Sequence, residues 1–123
     1  MPIVDVFTVR ELALELGLPV LVVARAGLGT INHTTLTVES VRATGLALAG
    51  VVLVADVRDS ADPSAPTNAR RIERLTGVAV LGTIPFDPTI SVEARRAGRI
   101  VELAEANVDV DRIEQAMRTG GAQ

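Results

Sequence analysis

Residues 22–39, which read VVARAGLGTINHTTLTVE, decide the fold of this 123-residue chain. They begin inside an apolar run at residues 19–23 that is rich in β-branched side chains and too short for a helix. The run breaks at Gly27-Leu28-Gly29, and a pattern typical of a helix starts at Thr30. The stretch therefore predicts a strand, a glycine turn and a helix.

The glycine turn is also a candidate binding site. In open α/β sheets, anions bind where the first amides of a helix face the carboxyl end of a strand. We expect Gly27 and Gly29 to adopt dihedral angles that other residues avoid, and Thr30 and Asn32 are short polar residues suited to a helix entrance. The same pattern fits an ordinary turn that binds nothing, so the residues alone leave both interpretations open.

The rest of the chain alternates helices with strands. Periodicity and capping residues predict helices at about residues 8–17, 30–44, 67–76, 91–105 and 109–118, and strands at 19–24, 48–54 and 78–83. This alternation predicts an α/β fold, a parallel three-stranded sheet with flanking helices. Three strands are few for such a domain, and apolar edge strands favour pairing with a further strand. We therefore interpret residues 1–123 as a single partial domain, the second half of a larger one.

Composition narrows the functional classes. Hydrophobic residues make up 48% of the chain, and Cys is absent, which excludes a disulfide framework and a thiolate metal site. The net charge is −3 without a basic stripe, which argues against nucleic acid as the main partner. No segment has the pattern of a membrane span or a signal peptide, so we expect a soluble, cytoplasmic protein with no membrane partner.

One absence in the sequence bears directly on phosphate chemistry. All 12 basic residues are arginines, and the chain contains no lysine. The phosphate loop G-x-x-x-x-G-K-[ST] places its lysine on the β- and γ-phosphates of a nucleotide, and this motif does not occur here. The chain therefore cannot bind a phosphate with that loop.

Two segments make the sequence recognisable: GLPVLVVARAGLGTINHTTLTVESVRATGLALAGVVLV at residues 17–54 and NARRIERLTGVAVLGTIPF at residues 68–86. They closely resemble the carboxyl-terminal half of ATP-dependent dethiobiotin synthetase, a P-loop amidoligase-like family, and GLGTINHTTLT is the most specific piece. The resemblance implies the second half of a P-loop NTPase (Rossmann-like) domain that works as a homodimer. It also implies a ligase of biotin biosynthesis, which uses ATP and Mg²⁺ to carboxylate diaminopelargonic acid, phosphorylate the carbamate and close the ureido ring of dethiobiotin.

The resemblance assigns a site for a small-molecule carboxylate. In the family, a glycine turn and helix entrance hold the carboxylate of the substrate at the dimer interface. The corresponding residues of this chain are Leu28, Gly29, Thr30, Ile31 and Asn32.

The resemblance also assigns an adenine side. The family's segment beside the adenine corresponds to Ile84, Pro85 and Phe86. Val54 stands where relatives usually carry an asparagine that reads the adenine edge, and Asp56 is the residue that would replace it. The family's phosphate loop, catalytic lysines and Mg²⁺-binding carboxylates belong to the other half, so we expect no catalytic or metal-binding residue here and no activity of the chain alone.

The remaining charged residues could bind a ligand or could simply be packed or exposed to solvent. We interpret His33 as a packing or helix-surface residue, because no nucleophile or metal ligand lies near it in the sequence, while Arg25 suits either an anionic ligand or solvent. The aspartates around the 57–66 loop lack the glycine and glutamate of a calcium loop, and we interpret them as solvated: Asp56, Asp59 and Asp62. Six arginines at helical spacing predict exposed helix faces: Arg70, Arg71, Arg74, Arg95, Arg96 and Arg99.

Three functional hypotheses remain open on these residues. The chain is part of a dethiobiotin synthetase, or a stand-alone non-catalytic module of the same fold that regulates or dimerises, or one chain of a split enzyme with a P-loop-bearing partner chain.

Overall fold

The architecture comes from a computed structural model, which describes residues 2–4, 7–56 and 65–119. The helices are α1 (Val9–Leu16), α2 (Thr30–Ala43), α3 (Ala65–Thr76), α4 (Ile100–Asn107) and α5 (Val110–Thr119). The strands are β1 (Pro2–Val4), β2 (Phe7–Thr8), β3 (Val20–Arg25), β4 (Leu48–Val54) and β5 (Val80–Ile84). None of the helices in these ranges is both long enough and apolar enough to cross a membrane.

The central sheet confirms the predicted fold class. Strands β3, β4 and β5 are parallel and lie in the order β3-β4-β5, with flanking helices. Arg25 pairs with Val54, and Val54 pairs with Ile84, so all three strands end at one edge of the sheet. That edge is where an open α/β sheet presents its ligand sites.

The core lies on the face that α2 and α3 cover. Val38 of α2, Ile72 of α3 and Val51 and Leu53 of β4 are at most 1% exposed. Each such side chain contributes roughly 1.5–3 kcal/mol by leaving water. Since successive strand residues point to opposite faces, Val52 lies on the other face of the sheet. Helix α5 also contacts β4.

The two outer strands differ in how their edges are covered. The segment after α4 lies along β5, where Val108 bridges to Gly82 and the amide of Asp109 donates to the carbonyl of Leu81 at 2.8 Å. A side chain at Gly82 would overlap the carbonyl oxygen of Asn107. In the described part of the chain no strand pairs with the outer side of β3, and its Val23 is 62% exposed.

The helix predicted at 91–105 is wrong over its first nine residues. Residues 91–99 form turns, in which Ser91 and Arg96 exchange two backbone hydrogen bonds of 2.9 and 2.8 Å, and a helix begins only at Ile100. Arg95 and Gly98 have φ angles of 55° and 54°, which no right-handed helix contains. The antiparallel pair β1–β2 was not predicted either.

The other predicted elements are present, with ends shifted by a few residues. Helix α1 carries the predicted capping box, in which Thr8 and Glu11 bond each other's backbone amides, and it ends at Gly17 with φ 63°. Helix α3 begins at Ala65, inside the loop predicted for 57–66. The rest of that loop, with Asp59 and Asp62, lies outside the described residues.

Candidate functional site

Three segments meet where the strands of the central sheet end. The turn after β3 is tied to β4 by the amide of Ala26, which donates to the carbonyl of Val54 at 3.0 Å. Ala55, which follows the last residue of β4, donates its amide to the carbonyl of Ile84 at 2.9 Å. These two bonds bring the predicted carboxylate-binding turn and the predicted adenine-side segment to one edge of the sheet.

The glycine turn opens α2 as the sequence predicts. Gly29 has φ 86° and precedes the helix, which begins at Thr30. The amides of Thr30 and His33 donate to Gly27 and Gly29, respectively, at 3.2 Å. Among the described residues, no backbone carbonyl accepts from the amides of Ile31 and Asn32. The first turn of α2 therefore has two amides available to a ligand.

Gly27 differs from the expectation. It is buried, and its φ lies outside the positive range that Gly29 adopts. Its carbonyl oxygen accepts from the amide of Thr30 and lies 3.4 Å from the side-chain nitrogen of Asn68. Of these two glycines, only Gly29 thus uses the conformational freedom of glycine.

Asn68 fixes the turn from α3. Its side-chain nitrogen donates to the carbonyl of Ala26 at 2.9 Å, and the residue is only 3% exposed. A buried amide with a carbonyl partner is costly to remove, because the carbonyl would lose its donor away from water. Asn68 was not among the predicted site residues, since its partner lies 42 positions away in the sequence.

A hollow of about 460 Å³ lies beside the turn, between α2 and α3. Eight residues line this α2–α3 hollow: Leu28, Gly29, Ile31, Asn32, Thr35, Asn68, Arg71 and Leu75. Four of the five residues that the resemblance assigns to the carboxylate are among them. Thr30 is not among them: it is 4% exposed, its hydroxyl lies 3.2 Å from that of Thr34, and both threonines line a separate, smaller hollow.

Arg71 supplies the positive charge of this hollow. It belongs to α3 and is exposed, and the sequence predicted only a solvated helix face there. Its guanidinium has no ion-pair partner among the described residues. A planar guanidinium binds a carboxylate through two parallel hydrogen bonds, so Arg71 matches the chemistry expected of this place.

Arg25 and Asp56 contact each other across the ends of β3 and β4. The guanidinium nitrogen Nη2 of Arg25 lies 3.1 Å from Oδ2 of Asp56. Arg25 therefore has a protein partner, where the sequence left a choice between a ligand and solvent. Asp56, which would replace the adenine-reading asparagine, already accepts a charge-assisted hydrogen bond from Arg25.

The predicted adenine side presents mainly apolar surface. Val54 is 37% exposed and Phe86 45% exposed, and Ile84 and Pro85 connect them along the sheet edge. An exposed aromatic ring fits the face of a purine. Val54 offers contact but no hydrogen bond to the edge of a base.

Asp87 holds the segment that follows Phe86. Its carboxylate accepts from the hydroxyl and the amide of Thr89 at 2.6 and 2.8 Å, and Arg99 is 3.2 Å away. The hydrogen bonds from Thr89, and then the charge of Arg99, hold the pKa of Asp87 below its ordinary value against the opposing effect of burial. This contact fixes the chain next to the adenine-side residues.

His33 lies away from the α2–α3 hollow. It is exposed on α2 and lines a smaller hollow of about 220 Å³, together with Arg25 and Thr37. Across the residues that the structure describes, no group of three or more His, Asp or Glu side chains is placed to hold a metal ion. We therefore assign no metal ligand to these residues.

Comparisons with known proteins show which proteins this chain is similar to. A family model described as "AAA domain" matches residues 1–94. The chain is 53% identical over 94 residues to the ATP-dependent dethiobiotin synthetase BioD of Anaeromyxobacter dehalogenans (strain 2CP-1 / ATCC BAA-258), covering 76% of this chain and 42% of that protein. It is 43% identical over 84 residues to the protein of the same name from Bacillus subtilis (strain 168), covering 68% of this chain and 36% of that protein.

The matched length differs between the individual relatives and the family model. The chain spans about two fifths of the length of the curated relatives it matches. The family model, by contrast, covers more than half of this chain. The chain therefore belongs to the AAA domain family and is similar to the ATP-dependent dethiobiotin synthetases.

Proposed function

We propose that this chain acts in dethiobiotin synthesis and supplies the contacts to the carboxylate of diaminopelargonic acid and to the adenine of ATP. One observation carries the proposal. In a chain 53% identical to a dethiobiotin synthetase, four of the five residues assigned to the carboxylate line one hollow at the end of the sheet. The proposed reaction takes place in the cytoplasm and ends in closure of the ureido ring.

The carboxylate meets two kinds of donor in this proposal, backbone amides and a guanidinium. The amides of Ile31 and Asn32 lie in the first turn of α2, where the helix dipole contributes about 0.3–1 kcal/mol toward an anion. The guanidinium of Arg71 lies on the opposite wall of the same hollow. Hydrogen bonds that involve a charged group contribute roughly 1.5–3 kcal/mol, so Arg71 would be the strongest single contact.

The residues at the carboxyl end of the sheet suit contact with the adenine of ATP better than contact with its phosphates. Phe86 offers an exposed ring for the base, and Val54 and Ile84 provide apolar contact next to it. Bound ATP supplies the phosphoryl group that activates the carbamate. The chain has no lysine for the phosphates, and its described residues contain no carboxylate cluster for Mg²⁺. We therefore route no catalytic step through these residues and assign the phosphates and Mg²⁺ to a P-loop-bearing partner.

The outer side of β3 is the place where we propose that this partner docks. A groove of about 530 Å³ lies there, bounded by β3, α1 and α2. Its lining is largely apolar and includes Val9, Ala13, Val20, Leu21, Val22, Val23, Leu36 and Val41. An edge strand with free backbone groups accepts a further strand, and the apolar groove gives that strand side-chain contacts. We further propose that the assembled enzyme is a homodimer, with the entrance of α2 at the subunit interface.

A titration of the full chain with diaminopelargonic acid tests the carboxylate site. We expect saturable shifts in the ¹⁵N–¹H NMR signals of Gly29, Ile31 and Asn32, and weaker binding by about tenfold in Arg71→Gln, because one charge-assisted hydrogen bond is lost. Arg74→Gln, which alters an exposed arginine of the same helix outside the hollow, is the matched control. Absence of saturable shifts at millimolar ligand, or equal weakening by the control, would contradict the proposal.

Reconstitution tests the reaction itself. The chain alone is expected to hydrolyse no ATP and form no dethiobiotin, because it has no lysine. Addition of the remainder of the Anaeromyxobacter dehalogenans relative, as a separate polypeptide with its phosphate loop, should restore ring closure. Turnover by the chain alone, above a no-protein control and after removal of contaminating ATPases, would contradict the assignment of the phosphates to a partner.

A second candidate is a non-catalytic module of the same fold that regulates or dimerises. The complete absence of lysine favours it, because a module without chemistry needs no phosphate contact. The reconstitution separates the two. A mixture in which the two polypeptides associate but form no dethiobiotin supports the module.

A further inference from the structure

A second cavity lies at the opposite edge of the sheet, where β4 and β5 begin. It measures about 250 Å³ and is called here the amino-edge cavity. Its lining consists of Arg42, Leu48, Ala49, Gly77, Val78, Ala79, Arg112, Gln115 and Ala116. None of these residues lines the α2–α3 hollow, so the two sites are separate.

Two arginines from different helices face the amino-edge cavity. Arg42 comes from the last turn of α2 and Arg112 from α5. Across the described residues, neither guanidinium has a carboxylate within ion-pair distance, while Arg25, Arg99 and Arg118 each have one. Two like charges that share a cavity without a counter-ion repel each other, and an anion between them removes that repulsion.

The other lining residues give the cavity both polar and apolar surface. Gln115 adds a side chain that both donates and accepts, and the apolar floor includes Leu48 and Ala116, which are 3% and 5% exposed. The guanidinium of Arg42 lies over the turn at Gly77, with Nη2 3.8 Å from the position a Cβ would take there. Gly77 has φ 70°, and its amide is already bonded to the carbonyl of Glu73 at 2.8 Å. The guanidinium of Arg42 is thus close to this turn, on an exposed side chain.

Two acidic side chains that lie close in sequence to lining residues of the cavity each accept a hydrogen bond from a backbone amide. Glu73 accepts a hydrogen bond from the amide of Val80 at 3.0 Å, and Asp109 accepts one from the backbone amide of Arg112 at 3.1 Å. A cation in the last turn of a helix is favourable on its own, which accounts for the place of Arg42. That argument does not apply to Arg112, which is the third residue of α5.

We propose that the amino-edge cavity binds a small oxyanion, a molecule with a phosphate or carboxylate group, between Arg42 and Arg112. Guanidinium groups bind both kinds of oxyanion through paired hydrogen bonds. The volume lies just below the roughly 300–1,000 Å³ of pockets for drug-sized ligands, so the site suits a compact anion. The proposal is independent of the proposed function, because it uses no residue of the α2–α3 hollow.

Titration of the full chain with inorganic phosphate and, separately, with citrate tests the proposal at constant ionic strength held with chloride. We expect saturable NMR shifts at Gly77, Ala79 and Gln115. The Kd for the anion is expected to rise about tenfold in either Arg42→Gln or Arg112→Gln, since each removes one charge-assisted contact. The two titrations show whether phosphate or carboxylate is preferred.

The controls distinguish binding at a specific site from non-specific attraction of the anion to positive charge. Arg74→Gln removes an exposed arginine that does not line the cavity and should leave the Kd unchanged. Arg42→Lys keeps the charge but loses the forked geometry, and it should bind more weakly than the native chain while keeping the fold by circular dichroism. Linear, non-saturating shifts, or equal losses in the Arg74→Gln control, would overturn the proposal. Loss of diaminopelargonic acid binding with these shifts intact would contradict only the proposed function.

Discussion

Arg25 and Asp56 form an ion pair of 3.1 Å that joins the end of β3 to the exit of β4. The pair lies between the glycine turn and the adenine-side segment, so it occupies the edge that both candidate contacts share. Its side chains are 61% and 39% exposed, which places the pair in solvent rather than in the core. We therefore expect the pair to affect the charge and the side-chain positions at this edge more than the stability of the fold.

The first prediction concerns the stability that this pair contributes. Exposed ion pairs contribute at most about 1 kcal/mol, because water screens the charges and two long side chains lose freedom. Arg25→Gln and Asp56→Asn should each lower the free energy of unfolding by less than about 1 kcal/mol in urea denaturation. A loss of several kcal/mol in both variants would show that the pair supports the sheet edge.

The second prediction concerns pH and the turn after Phe86. Hydrogen bonds from Thr89, together with Arg99, lower the pKa of Asp87 in the folded chain below the ordinary 3.8. A depressed carboxylate pKa contributes stability that is complete above the unfolded-state pKa and is lost as the pH falls through the folded-state value. The stability that Asp87 contributes should therefore begin to decrease below about pH 3.8 and be lost as the pH falls further.

Asp87→Asn isolates this effect. The amide side chain can still accept from Thr89, but it carries no charge for Arg99 and does not titrate. Thermal unfolding of the variant between neutral and strongly acidic pH should show a smaller loss of melting temperature than the native chain. Identical pH profiles would mean that Asp87 does not link protonation to folding. Glu93→Gln, at an exposed position of the same segment, serves as the comparison.

Several features could be predicted because their causes are local in sequence. A short β-branched run, a glycine turn and a helical pattern fixed the start of α2 at Thr30. The contacts that complete the site are not local. Arg71 reaches the hollow because α3 packs on α2, Asn68 bonds a carbonyl 42 residues away, and Asp56 pairs with Arg25 across two strands. The helix predicted for residues 91–99 is absent although the residues there have a helical pattern. The positive φ angles of Arg95 and Gly98 are incompatible with a right-handed helix.

The third prediction concerns the open edge of β3. An unpaired edge strand with exposed apolar side chains favours association, so the isolated chain should be dimeric or prone to aggregate at high micromolar concentration. Val23→Glu places a charge on this strand at a position already 62% exposed and should shift the chain toward monomer. Sedimentation velocity measures the change.

The matched control for this edge is Val92→Glu. Val92 is 89% exposed and lies far along the chain from β3, so the same substitution there should leave association unchanged. A native chain that sediments as a single well-behaved monomer would contradict the prediction. Equal dissociation by both variants would assign the effect to net charge and not to the edge of β3.

The last prediction concerns Gly29 at the entrance of α2. Its φ of 86° lies in the left-handed region, where a β-branched residue is strained by roughly 1–2 kcal/mol. The nearest atom to a Cβ at this position is Cε1 of His33 at 3.9 Å, so the strain comes from the backbone and not from crowding. Because the backbone of Gly29 lines the α2–α3 hollow, a strained backbone there would also displace the first amides of α2. Gly29→Val should therefore lower stability and also abolish binding of diaminopelargonic acid.

Gly45 offers a control with the same backbone penalty at the other end of α2. Its φ is 80°, and nothing lies within 4 Å of a Cβ placed there. Gly45→Val should lose a similar amount of unfolding free energy, measured in urea, while the titration with diaminopelargonic acid stays as in the native chain. If Gly29→Val remains folded and keeps its affinity, the amides of Ile31 and Asn32 do not receive the carboxylate. The turn would then serve only to redirect the chain from β3 into α2.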